Sequence, residues 1–155
     1  MAKVTARCEF MENAFPAGPL SLKGRFAVVE DSRGEHMIFS VDKRDKLCLI
    51  MKGDFGQNEF INLSVRFGLA DDQKISAFAV SQNSDGKIHL VFAALQGSGF
   101  DNLYVVRPMG TSRAEWMAPA TASDLFSGTQ SEINVRQILL VSPSSFCLAL
   151  YTNRD

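Results

Sequence analysis

The hydrophobic positions of this chain fall in short runs that are separated by polar turns. After residue 24 the first of these runs are Arg25–Glu30, Glu35–Val41, Lys46–Met51 and Glu59–Val65. They are too short for comfortable helices, and sustained apolar stripes at helical spacing are few. The pattern therefore predicts four strands that follow one another as an antiparallel meander.

The same pattern recurs later in the chain, in register. Phe26–Gly34 (FAVVEDSRG) aligns without a gap with Phe78–Gly86 (FAVSQNSDG), at an offset of 52 residues (78 − 26). Internal repetition of this kind indicates one supersecondary unit copied along the chain. In the second copy, the Asp-Gly pair at residues 85 and 86 favours a tight hairpin. The predicted strands of this copy are Ile75–Ser81, Lys87–Ala94, Asn102–Arg107 and a fourth strand at Glu115–Met117.

The two ends of the chain extend this organisation. Two further strands, predicted at Asn134–Val141 and Phe146–Tyr151, begin a third copy. At the other end, Lys3–Phe10 is predicted as a strand, and residues 11–24 carry two prolines and two glycines, which are typical of a connecting segment. Ala120–Phe126 is interpreted as a loop between units. The predicted division of the chain is an N-terminal strand and linker (1–24), two units (25–74 and 75–131) and a partial unit (132–155).

The repeated meander resembles the blades of β-propellers, in particular the sialidase-repeat, tectonin and fungal-lectin types. The residues that carry the resemblance are Phe78–Phe92 and their echo at Phe26–Phe39. The Trp-Asp pair of WD40 blades, the double glycine of kelch repeats and the sialidase box are missing, so the resemblance points to an architecture and to no single family. It implies an all-β fold of four-stranded blades, with about two and a half blades in this chain.

Such a short array implies a partner. Propellers typically have about four to eight blades, and an open arc would leave apolar faces and strand edges in water. The resemblance therefore predicts that a homo-oligomer or another polypeptide completes the ring, and two copies of this chain would supply about five blades. The alternative is an up-and-down barrel, a lipocalin-like cup, because a similar number of short strands also suits that fold.

The composition argues against some classes of function and does not identify one. The chain has 155 residues, a length typical of one domain, and its 16 Lys+Arg against 17 Asp+Glu leave a net charge of −1, which disfavours nucleic acid. No apolar run is long enough to span a membrane. The three cysteines, Cys8, Cys48 and Cys147, form no CxxC pair. This usage predicts a reducing, cytoplasmic compartment, and the N-terminus lacks a secretory signal, although secretion of a processed chain stays open.

No catalytic, metal-binding or cofactor-binding constellation stands out. The two histidines, His36 and His89, lie at different distances from their turn glycines and have no ligand-spaced partners. Nucleophile-elbow and phosphate-loop motifs are missing. The residues that best suit ligand contact are Trp116, Tyr104, Arg107 and Arg113, since flat aromatic faces stack on sugars or anchor protein interfaces and guanidinium groups pair with carboxylates. Trp116 also aligns with Phe60, so a place in the core is the alternative for it.

The sequence thus favours a non-catalytic binding module over an enzyme. Its ligand is predicted to be a carbohydrate or a protein, bound at clefts between blades, without a cofactor. An enzyme, or a fragment of one, with an active site on the propeller axis is the first alternative. A barrel that holds an apolar small molecule is the second.

Overall fold

The computed structural model describes residues 26–97, 99–125, 133–142 and 145–152. This part of the chain contains ten strands and two one-turn helices, which confirms the all-β prediction. The strands form three antiparallel sheets, each in the order of the sequence. Sheet 1 contains β1 (Phe26–Glu30), β2 (His36–Val41), β3 (Leu47–Lys52) and β4 (Asn58–Asn62). Sheet 2 contains β5 (Lys74–Gln82), β6 (Ile88–Leu95), β7 (Asp101–Val106) and β8 (Ala122–Asp124).

Sheet 3 has two strands in the described part, β9 (Ile133–Ser142) and β10 (Ser145–Thr152). The helices are α1 (Leu63–Arg66), after sheet 1, and α2 (Arg113–Met117), between β7 and β8. The described strands stay in three open sheets and do not close into the cylinder that a lipocalin-like cup requires. Neither described helix is long and apolar enough to cross a bilayer. The predicted strand Lys3–Phe10 lies outside the described residues.

Two predicted strands differ from the structure because a polar side chain caps the start of a helix there. Glu115–Met117, predicted as the fourth strand of the second unit, belongs to α2, and that fourth strand is β8, in the segment interpreted as a loop. Ser112 caps α2, because its hydroxyl accepts a hydrogen bond from the amide of Glu115. The predicted strand Glu59–Val65 ends early for the same reason: Asn62 accepts from the amide of Val65 and begins α1.

One turn geometry closes every hairpin inside sheets 1 and 2. In each turn the amide of the fourth residue donates to the carbonyl of the first, at 2.9–3.1 Å, and the fourth residue has a φ between 59° and 85°. A residue in the left-handed region at this place matches the twist of the two strands, and glycine takes it at no steric cost. The prediction of a hairpin at Asn83–Gly86 is confirmed. The five turns are Asp31–Gly34, Asp42–Asp45, Gly53–Gly56, Asn83–Gly86 and Gln96–Gly99.

The first residue of three of these turns also accepts hydrogen bonds through its side chain. The Asp31 carboxylate accepts from the amides of Arg33 and Glu35, at 2.8 and 2.9 Å, and Asp42 repeats this pattern in the next turn. Burial raises the pKa of Asp31, but the two amides and the Arg33 guanidinium outweigh that effect and hold its pKa below the ordinary value. These turn carboxylates are therefore structural acceptors.

Sheet 2 lies between the other two sheets, and both of its faces are buried. One face, with Phe78, Leu90 and Phe92, packs on sheet 1 in the main core, and the opposite face, with Val91 and Leu103, packs on β9. In both sheet 1 and sheet 2, the equivalent side faces the next sheet along the chain. Phe39, on the side of sheet 1 that faces sheet 2, corresponds through the 52-residue offset to Val91, on the side of sheet 2 that faces sheet 3.

The junction between consecutive sheets is also repeated. The amide of Ile75 at the start of β5 donates to the backbone carbonyl of Asp45 at 2.8 Å. At the next junction, the amide of Val135 in β9 donates to the side chain of Asp101 at 2.6 Å. Asp45 and Asp101 occupy the same place in their units, two residues before Leu47 and Leu103. The first strands of the units therefore lie side by side, β1 against β5 and β5 against β9.

Candidate functional site

The four predicted ligand-binding residues lie on β7 and in the segment that follows it, in different surroundings. Tyr104 is on β7, Arg107 directly follows β7, and Arg113 and Trp116 are on α2. Only Arg107 leaves its functional group open to an incoming ligand, as the contacts of each residue show.

Trp116 is 1% exposed and lies in the main core. Its ring forms a T-shaped contact with Phe39 from sheet 1, with centroids 5.3 Å apart and planes at 71°. The indole Nε1 donates to the carbonyl of Gly110 at 2.9 Å. Both the face and the polar tip of the indole are therefore engaged within the protein, so Trp116 fixes α2 against sheet 1.

Tyr104 is half-buried and continues this aromatic packing. Its ring stacks on Phe92 at 5.0 Å, and Phe92 in turn stacks on Phe67 at 5.5 Å. The hydroxyl of Tyr104 accepts a hydrogen bond from Nε2 of Gln73 at 3.1 Å. Tyr104 thus joins sheet 2 to the segment that precedes β5.

Arg113 connects α2 to sheet 1 by charge. Its Nε donates to Oε2 of Glu59 on β4, and its NH1 lies 3.9 Å from Oδ2 of Asp54. The hydrogen bond with Glu59 raises the pKa of Arg113 above its ordinary value, and burial opposes this. The guanidinium charge is compensated by these two carboxylates, so Arg113 offers less to a ligand than its type suggests.

Arg107 is exposed and lines a cleft of about 340 Å³. It forms no ion pair or hydrogen bond with any residue in the described ranges. The other walls are largely apolar, with Glu115 as the second charged group and Thr121 as a polar residue. The lining residues that matter here are Val106, Arg107, Met109, Glu115, Pro119 and Thr121.

The walls of this cleft are held by backbone hydrogen bonds. Met109 pairs with Ile88 on β6 through two hydrogen bonds of 2.7 and 3.0 Å, which hold the segment after β7 against the sheet. On the opposite wall, the amide of Ala120 donates to the carbonyl of Arg66 at 3.0 Å. The cleft is thus formed before a ligand arrives, which lowers the entropy cost of binding.

Glu115 is the cleft residue that the sequence prediction missed. It accepts a hydrogen bond from the hydroxyl of Ser112 at 3.3 Å, and its amide donates to that same hydroxyl, which is the N-cap of α2. Gly110 lies so close to this carboxylate that a Cβ there would collide with it. The signal in the sequence is Ser-x-x-Glu at Ser112–Glu115, and it marks a helix start rather than a strand.

A second, more open groove of about 360 Å³ lies between the ends of β1 and β5. Glu30, His36, Ser81 and Gln82 are its polar residues, and Nε2 of Gln82 donates to the carbonyl of Glu30 at 2.7 Å. The Ser81 hydroxyl is buried and has no hydrogen-bond partner among the described residues. Within the described residues, no group of three or more His, Cys, Asp or Glu side chains is placed to hold a metal ion.

No known protein family, curated protein or solved structure matches this chain. The functional conclusion therefore depends on the geometry of the two clefts. The Arg107 cleft combines an arginine that forms no ion pair within the described residues, the Glu115 carboxylate, apolar walls and a fixed backbone. Such a site can bind a carboxylate beside an apolar group.

Proposed function

We propose that this protein is a non-catalytic binding module whose ligand is a protein segment with a free carboxylate. The observation that carries the proposal is the Arg107 guanidinium, exposed at the mouth of the cleft and unpaired within the described chain. A guanidinium donates two parallel hydrogen bonds to a carboxylate. Val106, Met109 and Pro119 would contact the apolar side chain beside it.

The placement of the aromatic residues favours a protein ligand over a carbohydrate. Sugar recognition commonly needs a flat aromatic face that is open to solvent. Trp116 and Tyr104 use their rings inside the protein, and neither lines the Arg107 cleft. The most exposed aromatic residue in the described part, Phe55 at 94%, belongs to a hairpin turn outside both clefts. A glycan therefore finds little stacking surface at the proposed site.

The groove between β1 and β5 does not support the enzyme alternative. It gathers Ser81 and His36 near the position that the propeller resemblance assigns to the axis. A serine nucleophile needs a base within hydrogen-bond distance, and the Ser81 hydroxyl has no hydrogen-bond partner within the described part of the chain. The proposed function is therefore binding without chemistry.

The Arg107 proposal is tested by replacing the guanidinium. Fluorescently labelled protein is applied to an array of peptides with free carboxylates and to a glycan array. We expect binding to a subset of the peptides, and a loss of about 10–100-fold in affinity for Arg107→Ala, because a hydrogen bond to a charged group contributes about 1.5–3 kcal/mol. Arg44→Ala is the matched control, since Arg44 is an exposed arginine on the turn of Asp42–Asp45, far along the chain from the cleft. Binding to glycans alone, or an equal loss for both variants, would rule the site out.

We also propose that the three sheets are consecutive propeller-like blades and that two copies of the chain associate through the third. The stacking of the sheets in one sense and the repeated junction support the blade arrangement. Leu139 on β9 is 59% exposed and supplies an apolar contact on sheet 3. The compartment is proposed to be the cytoplasm, as the cysteine usage suggests.

Light scattering tests the association. We expect the wild-type mass to be twice 17.1 kDa and Leu139→Asp to return it to one chain, because a buried charge at the contact opposes pairing. Val65→Asp, at a 64% exposed position on α1, is the control and should leave the mass unchanged. A wild-type mass of 17.1 kDa would contradict the proposal.

A further inference from the structure

The Arg107 cleft contains two charges of opposite sign. Arg107 directly follows β7 and Glu115 lies on α2, so the two side chains reach the cleft from different segments. Both residues are exposed, and no ion pair joins them. The cation and the anion are therefore each open to a ligand, because they do not neutralise one another within the protein.

The carboxylate of Glu115 is held in place by its surroundings. Its Oε2 accepts a hydrogen bond from the Ser112 hydroxyl at 3.3 Å, and a Cβ at Gly110 would collide with the same carboxylate. The second oxygen, Oε1, takes part in no hydrogen bond among the described residues. One oxygen is thus available to a donor on a ligand, and a side chain that is already positioned loses less entropy on binding.

The two charges make opposite demands on a ligand. A carboxylate that pairs with Arg107 also meets the repulsion of Glu115, and this repulsion is stronger beside apolar walls than in open water. A ligand that carries an ammonium or guanidinium group as well can place that group beside Glu115, where the interaction is attractive. Complementary charges of this kind contribute more to specificity than to raw affinity. The cleft therefore favours a ligand with both signs of charge over one with a carboxylate alone.

The apolar walls add a third requirement. Val106, Met109 and Pro119 line the same cleft as Arg107, and its volume of about 340 Å³ is small for a ligand pocket. The carboxylate and the apolar group of the ligand must therefore lie close together. The last residue of a polypeptide meets this requirement, since it carries a carboxylate and a side chain on one carbon atom. In an internal aspartate the side chain is the carboxylate itself, and the apolar group has to come from a neighbour.

We propose that the ligand is the C-terminus of a polypeptide that ends in an apolar residue and carries a lysine or an arginine close to that end. This inference rests on the proposed function and narrows it. Arg107 binds the terminal carboxylate through parallel hydrogen bonds, the apolar walls contact the last side chain, and Glu115 pairs with the basic group. Glu115 is then the residue that determines specificity, because it separates basic C-termini from neutral and acidic ones.

Four short peptides test this assignment on the wild-type protein. All are N-acetylated and end in leucine. Three have a free carboxylate and carry lysine, glutamine or glutamate two residues before the end, on the same side of an extended chain as the last side chain. The fourth is the lysine peptide with a C-terminal amide. Fluorescence anisotropy of the labelled peptides measures each Kd.

The expected order of affinity follows from the two charges of the cleft. The lysine peptide should bind about 5-fold more tightly than the glutamine peptide, the upper range for an exposed ion pair. The glutamate peptide should bind more weakly than the glutamine peptide. Amidation should weaken binding about 10-fold or more, because it removes a hydrogen-bonded charge.

Substitution of Glu115 tests its role directly. Glu115→Gln removes the charge and keeps an oxygen that can accept from Ser112, and we expect this variant to bind the lysine and glutamine peptides equally. The preference is a ratio measured on one variant, so a partial loss of folded protein lowers both affinities alike and leaves the ratio unchanged. Glu35→Gln is the matched control and should retain the 5-fold preference, since Glu35 is exposed and lines neither cleft.

The results separate this inference from the function on which it rests. If the peptides bind and Arg107→Ala weakens that binding, but lysine gives no preference over glutamine, the proposed function stands and the role of Glu115 is wrong. Retention of the preference in Glu115→Gln leads to the same conclusion. If only peptides with internal acidic residues bind through Arg107, the assignment to a C-terminus is wrong. If no peptide with a carboxylate binds, the inference and the proposed function fail together.

Discussion

Trp116→Ala is expected to lower the free energy of unfolding by about 3–5 kcal/mol, the range for removing a large aromatic side chain from a core. The indole is 1% exposed and fills the space between α2 and Phe39 of sheet 1. Its loss leaves a cavity there and removes the hydrogen bond from Nε1 to the carbonyl of Gly110. Domains are typically stable by about 5–15 kcal/mol, so the variant should be close to unfolding. Urea denaturation followed by circular dichroism measures the change.

Trp116→Phe is the matched variant for this experiment. Phenylalanine keeps an aromatic ring next to Phe39 and loses the Nε1 hydrogen bond, so we expect a smaller loss, of about 1–3 kcal/mol. If Trp116→Ala unfolded at the same urea concentration as the wild type, the placement of the indole in the core would be wrong. A loss of peptide binding without a loss of stability would instead indicate that Trp116 contacts the ligand.

Asp101→Ala is expected to cost about 3 kcal/mol and to loosen sheet 3 first. Asp101 is 1% exposed and accepts hydrogen bonds from the hydroxyl of Ser76 and the amide of Val135. Alanine leaves the Val135 amide buried without a partner, and this amide lies where β9 meets sheet 2. Hydrogen exchange should show the β9 amides losing protection while those of β2 and β3 keep theirs.

The repeat offers its own control for Asp101. At the equivalent junction, Asp45 accepts the amide of Ile75 through its backbone carbonyl, which a substitution retains. Asp45 also has a φ of 59°, a conformation that glycine adopts more easily. Asp45→Gly should therefore change the stability by less than about 1 kcal/mol. If Asp45→Gly destabilised the protein as much as Asp101→Ala, the junction hydrogen bond would not be the cause.

The strands were predictable from the sequence because their signals are local. The alternation of short apolar runs and polar turns located nine of the ten described strands, and the Asp-Gly pair at Asp85–Gly86 located a hairpin whose geometry recurs in four other turns. The offset between Phe26 and Phe78 marked two units of the same sheet order. Because the two units repeat one pattern, the strands predicted in one unit supported those predicted in the other.

The errors arose where a single polar side chain decides the local structure. The Ser112 hydroxyl accepts a hydrogen bond from the Glu115 amide, and this N-cap starts a helix around Trp116 although the residue types there also suit a strand. The candidate site was only partly predictable for a related reason. Arg107 and Arg113 are the same residue type. Only the fold shows that Arg113 pairs with Glu59, whereas Arg107 lines the cleft without an ion pair in the described residues.

The burial of sheet 2 on both sides sets the limits within which the chain can be shortened. β9 covers an apolar surface of sheet 2 that contains Val91, Ala93 and Leu103. A polypeptide that stopped after Asp124 would expose this surface to water. Aggregation would be the natural outcome. The β9–β10 hairpin thus shields one face of sheet 2, and a shortened form of this protein has to retain it.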